Sequence, residues 1–112
     1  MKLTTLLEQF GFNEKEANVY LACLELGQAP ASTIAHKLGE DRTTVYSCLQ
    51  ILVKKKVVST IVKNNVTQFS AISPKQLLLH EQLKVDTLGD HLHTLIALSS
   101  LSANQPNLQY YE

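Results

Sequence analysis

Two runs of β-branched residues constrain this chain more than anything else in it. Val57-Val58-Ser59-Thr60-Ile61-Val62 and Val66-Thr67-Gln68-Phe69-Ser70-Ala71-Ile72 flank Lys63-Asn64-Asn65. Side chains branched at Cβ are stiff at χ1 and suit a pleated surface. Asn tolerates the left-handed backbone that a tight turn between strands requires. The spacing therefore predicts a hairpin over 57–72. A lone hairpin is marginal in water, so it must pack on something. Only helical patterning precedes it, and the hairpin has to lie against those helices.

Leu3, Leu6, Leu7 and Phe10 fall at helical spacing, and Gly11 suits the end of a first helix. Asn13 with Glu16 three residues later has the capping-box pattern of a second helix. Its apolar face carries Ala17, Tyr20, Leu21 and Leu24, and Gly27 ends it. A short third helix is predicted from Ala31 to Leu38, closed by Gly39. Asp41 is placed to cap a fourth helix with Val45, Cys48, Leu49, Leu52 and Val53 on one face. Arg42, Thr43, Tyr46, Ser47 and Gln50 occupy the opposite face. A short helix, a tight turn and a polar-faced helix outline a helix-turn-helix, and the hairpin that follows would be its wing.

Ser73-Pro74-Lys75-Gln76 has the signature of another helix start, with Ser73 as cap and Pro74 at the first helical position. From there helical patterning can run to about Ser102, roughly 43 Å at the standard rise. Leu78, Val85, Leu92 and Ser99, alternating with Leu88 and Leu95, form a heptad seam. Leu77, Leu83, Ile96, Leu98 and Leu101 widen the apolar surface. Such a helix needs a partner, and a second copy of the chain is the expected one. The fold class expected is mainly α with a small β-hairpin: a winged helix-turn-helix followed by a long C-terminal dimerisation helix. Its divisions would be residues 1–73, residues 74–103, and a tail over 104–112.

The 112 residues carry no net charge, yet the charge is unevenly placed. Between residues 37 and 63 stand Lys37, Arg42, Lys54, Lys55, Lys56 and Lys63 against Glu40 and Asp41. Local positive charge is what matters near phosphates. Capping accounts for Asp41, whereas the sequence offers no role for Glu40. Cys23 and Cys48 both fall within helices and read as small core residues. Asp86, Asp90 and His93 share a helix face, while His91 and His93 do not. With no tetrahedral ligand set visible, these read as solvated surface, and neither metal nor cofactor is expected. No catalytic dyad or phosphate-cradling loop is present, so the chain is not expected to be an enzyme. The N-terminus lacks a signal peptide's apolar stretch, and no apolar run approaches a membrane span. A cytoplasmic protein with no membrane partner is expected.

The run Gly11-Phe12-Asn13-Glu14-Lys15-Glu16-Ala17, followed by Val19-Tyr20-Leu21-Ala22-Cys23-Leu24-Glu25-Leu26-Gly27, resembles the opening of the TrmB family of transcriptional regulators. The resemblance continues through Ile34-Ala35-His36-Lys37, Val45-Tyr46, Leu49 and Leu52, and Phe69-Ser70-Ala71-Ile72-Ser73-Pro74, covering about residues 1–80. It implies a winged helix, dimerisation through the long helix, and control of genes often tied to sugar uptake or metabolism. Lys56 stands where that family usually has a helix-ending Gly, and Asn64-Asn65 replaces a more basic wing tip. Pro30 and Thr33 replace the usual caps of the third helix. Tyr110-Tyr111-Glu112 resembles the start of the family's effector domain, so no small-molecule effector is expected for this chain.

In a helix-turn-helix the second helix enters the major groove. Arg42, Thr43, Thr44 and Ser47 are therefore expected to approach base edges, with Arg42 suited to guanine and the Thr methyls to thymine. Tyr46 is expected to reach a phosphate or to pack on the third helix. Lys37, Lys54, Lys63 and Asn64 complete the expected double-stranded DNA contacts. Leu78, Val85, Leu88, Leu92, Leu95 and Ser99 are expected to join two copies into a homodimer. The other reading is a winged-helix protein–protein interaction module in which the basic patch is incidental.

Overall fold

A computed structural model describes residues 1–102. The order is α1 (Leu3–Glu8), α2 (Glu14–Leu26), β1 (Gln28–Pro30), α3 (Ala31–Leu38), α4 (Arg42–Lys54), β2 (Val58–Lys63), β3 (Val66–Ala71), α5 (Pro74–Asp90) and α6 (Leu92–Ser100). Residues 1–77 form one compact unit, and the helices from Leu78 onward form another. The expected tail over 104–112, with its Tyr110-Tyr111-Glu112, lies outside the described residues.

The first unit is built on the four helices α1 to α4 and a sheet. Tyr20, Ile34, Val45, Leu49 and Leu52 are fully buried at its centre, together with Ala17 and Cys23. Phe12 adds a ring 5.4 Å from that of Tyr20, tilted by 59°. The Tyr20 hydroxyl donates to the Ile72 carbonyl at 2.8 Å, which ties α2 to the end of the hairpin. The sequence placed Leu3, Leu6 and Phe10 with Leu7 on one apolar face. Of these only Leu7 is buried. The helix ends at Glu8, three residues before Gly11. Phe12, beyond that glycine, is buried against Tyr20.

The hairpin forms as expected, with Lys63 opposite Val66 and a two-residue turn between them. Asn64 and Asn65 both have positive φ, at 54° and 63°. These are the signs a type I′ turn demands, and Asn meets them with little strain. The sheet has a third strand that the sequence pattern does not announce. β1 pairs antiparallel with β3, giving the order β1-β3-β2. Three residues ending in Pro show no alternation, and Pro30 survives there because it lies on an edge.

Helix ends in this unit follow the physics of unpaired backbone groups. Glu40 N–H reaches the Ala35 carbonyl behind a left-handed Gly39, a Schellman closure of α3. The same closure ends α4: Val57 N–H reaches the Leu52 carbonyl, and Lys56 takes the left-handed position at φ 65°. A lysine there lacks glycine's freedom and is strained.

Glu16 is the only buried charged residue among those described, 5% exposed. Its Oε1 accepts from the Asn13 amide at 3.0 Å, completing the capping box of α2, and from Lys55 Nζ at 2.8 Å. Lys55 Nζ also donates to the Gly11 carbonyl at 2.8 Å. One ammonium thus joins the loop before α2, the first turn of α2 and the last turn of α4.

The C-terminal segment is helical from Pro74 to Ser100, as expected, but with one interruption. At His91 the backbone leaves the helical region (φ −104°, ψ 9°), and α6 begins. Gly89 lies two residues before the break, and helix propensity is lowest there. The His91 ring takes up the Thr87 carbonyl through Nδ1 at 3.0 Å. None of the described helices is long and apolar enough to cross a membrane.

Replacing Lys55 by Met should destabilise the protein by about 1–3 kcal/mol near neutral pH, since Glu16 would stay buried with one partner fewer. Burial pushes the Glu16 carboxyl up, but the hydrogen bonds from Lys55 and Asn13 and the Lys55 charge bring it below its ordinary 4.5. A depressed folded value stabilises above pH 4.5, and that contribution fades as pH falls through the folded pKa. Urea melts of both proteins should therefore converge as pH drops below 4.5. A difference that is constant from neutral to acid would show that the ion pair contributes nothing.

Candidate nucleic-acid interface

The candidate interface centres on α4. Asp41 caps it by accepting from the Thr44 amide at 3.3 Å. Val45, Cys48, Leu49 and Leu52 are buried, which fixes which way the helix faces. Arg42, Thr43, Tyr46, Ser47, Gln50 and Lys54 are all exposed. Thr44 is half-buried on the capping side, with its hydroxyl 3.5 Å from Asp41, so it does not join that polar face.

Tyr46 is exposed at 44%, and its packing differs from the contact with the third helix that the sequence suggested. Its ring meets Phe69 of β3 edge-on, with centroids 6.1 Å apart and planes at 83°. It packs on the sheet rather than on α3, because the alternation that buries Phe69 turns that face of β3 toward α4. Two shallow clefts open on either side of this pair. One is bordered by Ser32 at the start of α3, Arg42 and Tyr46 of α4, and Asn65 and Thr67 of the hairpin. The other runs between Gln50 and Lys54 of α4 and Thr60 and Thr67 of the sheet. The polar face of α4 and the hairpin tip thus border one continuous surface.

The six cations of residues 37–63 divide into distinct groups. Lys55 is committed inward to Glu16. Lys37 on α3 pairs with Glu25 of α2 at 3.5 Å. Glu40, which had no evident role in the sequence, pairs with Lys15 at 3.6 Å. Among the described residues no carboxylate lies within salt-bridge distance of Arg42, Lys54, Lys56 or Lys63. Lys63 closes the hairpin ladder beside exposed Asn64 and Asn65. Sequence reasoning passed over Gln50 and Asn65 as contact residues. For Gln50 the signal was available, since it lies four residues after Tyr46 and three after Ser47.

The family described as "Sugar-specific transcriptional regulator TrmB" matches residues 7–75. The chain belongs to the TrmB family. Its members are transcriptional regulators, so DNA binding rather than catalysis is the family's business, and the sequence resemblance is confirmed. Among solved structures, it is similar to a possible transcriptional regulator from Methanosarcina mazei Go1, with a TM-score of 0.61 and 19% identity over 73% of this chain and 74% of that one. A protein from the thermoacidophilic archaeon Sulfolobus tokodaii aligns with a TM-score of 0.59 and 19% identity, over 88% of this chain and 99% of that one. MepR, a transcription regulator of the Staphylococcus aureus multidrug efflux pump MepA, aligns with a TM-score of 0.52 and 19% identity, over 92% and 87%. At such identity these likenesses speak for the winged-helix fold alone. No curated protein matches the chain.

In this TrmB-family chain the cysteines belong to the scaffold beneath the interface. Burial, and then the neighbouring Cys48, push the Cys23 thiol up to about 12. Burial first, then the Glu16 carboxylate, push Cys48 up to about 11 against the pull of Lys15 and Lys55. Thiolates are the reactive species, so both should resist alkylation at pH 8 in the folded protein. Mass spectrometry after iodoacetamide should find two added groups only in denaturant. Rapid labelling of Cys48 without denaturant would mean that α4 detaches readily from the core.

Proposed function

We propose that this chain is a sequence-specific regulator that binds duplex DNA as a homodimer, with α4 in the major groove and the hairpin beside it. The observation that carries the reading is the exposed polar face of α4: Arg42 and Lys54 on that helix, Lys56 after its end and Lys63 on the hairpin all lack carboxylate partners among the described residues. Thr43, Ser47 and Tyr46 would provide polar contacts from the same helix, Thr44 being turned to its cap Asp41, and Asn64 would join Lys63 at the hairpin tip. Lys37 would contribute least, because leaving Glu25 for a phosphate exchanges one partner for another. Exposed Ile61 and Val66 on the hairpin favour a second reading, in which the wing docks on protein.

The affinity of a DNA binder falls with salt at a logarithmic slope of about −0.9 per phosphate neutralised. Lys54→Ala and Lys63→Ala should each flatten that slope by about 0.9 in mobility-shift titrations, while Lys37→Ala should leave it nearly unchanged. Absence of any shifted band at low salt would defeat the DNA reading and leave the protein-docking one.

The dimer rests on the second unit. Leu78, Val85, Leu88, Leu92 and Leu95 are all exposed in the single chain, from 44% at Leu95 to 68% at Val85. Ser99 is exposed as well, its hydroxyl donating to the Ile96 carbonyl at 2.7 Å. An apolar surface this large seldom stays open on a soluble protein. A symmetric pair buries the same patch twice, the commonest solution for homo-oligomers. Full burial is worth about 1.5–3 kcal/mol for each Leu or Val. The double substitution Leu88→Asp with Leu92→Asp should yield a folded monomer by light scattering, with much weaker DNA binding. A monomeric parent chain at high micromolar concentration would remove the dimer from the proposal.

A further inference from the structure

We infer that Gln50 is the specificity-determining residue of α4, reading an adenine in the major groove, while Arg42 fastens the DNA backbone. The inference rests on the proposed DNA binding and assigns roles within it. A helix turns 100° per residue, so the buried set of Val45, Cys48, Leu49 and Leu52 defines an inward direction. The line diametrically opposite runs through Thr43, Ser47, Gln50 and Lys54, spaced by four, three and four residues. All four are exposed.

Arg42 stands about 100° from Thr43 around the axis, off that line. It borders the cleft shared with Ser32 of α3 and Asn65 of the hairpin. When the outward line faces the base edges, Arg42 faces the wall of the groove, where phosphates lie. Lys54, at the end of the line, is a point charge suited to phosphate as well.

That leaves three side chains to meet bases. The hydroxyls of Thr43 and Ser47 can serve as donor or acceptor and discriminate weakly. Gln50 alone offers a donor and an acceptor side by side, the pairing that matches adenine N6 and N7. Thr43 and Gln50 are about 10 Å apart along the axis, or roughly three base-pair steps. The selected adenine should lie at that distance from the base that Thr43 meets.

The test is selection from randomised duplexes with the full chain, followed by titration of the selected site and of every single-pair replacement. For the parent protein, one A·T pair should be required, its replacement weakening binding about ten- to a hundredfold. Gln50→Ala should lose that discrimination while keeping affinity for unrelated DNA. Gln50→Arg should move the preference at the same pair toward G·C. Arg42→Ala should weaken every duplex alike and flatten the salt slope. The inference is overturned if Gln50→Ala retains all discrimination, if it abolishes binding to every sequence equally, or if Arg42→Ala selectively erases the preference at one pair. A parent chain that binds DNA with no sequence preference refutes this assignment but not DNA binding itself. One that binds no DNA at low salt refutes both.

Discussion

The first unit turns on a single buried carboxylate. Glu16 caps its own helix and holds Lys55 from the far end of α4, and Lys55 in turn holds the Gly11 carbonyl. Taking a carboxylate out of water is tolerable only when its oxygens are well partnered. Here the partners come from different parts of the chain, so forming them fixes the end of α4 against the start of α2. Apolar packing of Val45, Leu49 and Leu52 then sets the rotation of α4 about its axis. Position from the charge and rotation from the core together decide which side chains face outward.

The same pairing changes how the basic run Lys54-Lys55-Lys56 should be understood. In the sequence it looks like one patch with one purpose. In the structure Lys54 borders a cleft beside α4, Lys55 is tied to Glu16, and Lys56 occupies the left-handed residue that closes the helix. Net charge zero is likewise a sum over separate arrangements. Pairs such as Lys15–Glu40 and Lys37–Glu25 neutralise one another on the flank of the unit. Among the described residues, positive charge without a carboxylate partner remains around α4 and the hairpin.

Much of this fold could be read from local pattern because its rules are local. Asn13 and Glu16 cap α2, Gly39 closes α3, Asp41 starts α4 and the Asn pair turns the hairpin, each through contacts within a few residues. What escaped depends on distant partners or on small differences in energy. β1 exists only because β3 lies beside it. Phe12 is buried while Leu6 and Phe10 are exposed, a choice among apolar residues that packing makes and spacing does not announce. The break at His91 reflects a weak stretch near Gly89, a small difference in helix propensity that apolar spacing does not register. On the candidate interface, residue types pointed to α4. The ranking within it needed the buried face, which only packing defines.

The sheet order has a consequence for how this protein behaves when crowded. With β3 in the middle, β2 is an edge strand whose outer backbone groups are unpaired within the sheet. Short β1 ends in Pro30, which has no N–H to offer and makes its own edge a poor template. β2 has no such protection within Val58–Val62, a β-rich stretch of the kind that seeds strand-to-strand aggregation. What guards it is charge at both ends, Lys54 and Lys56 before and Lys63 after, acting as gatekeepers. Neutralising those lysines, whether by mutation, acetylation or a polyanion, would remove the repulsion that keeps one β2 edge from another. The colloidal stability of the chain thus hangs on some of the cations grouped around its recognition surface.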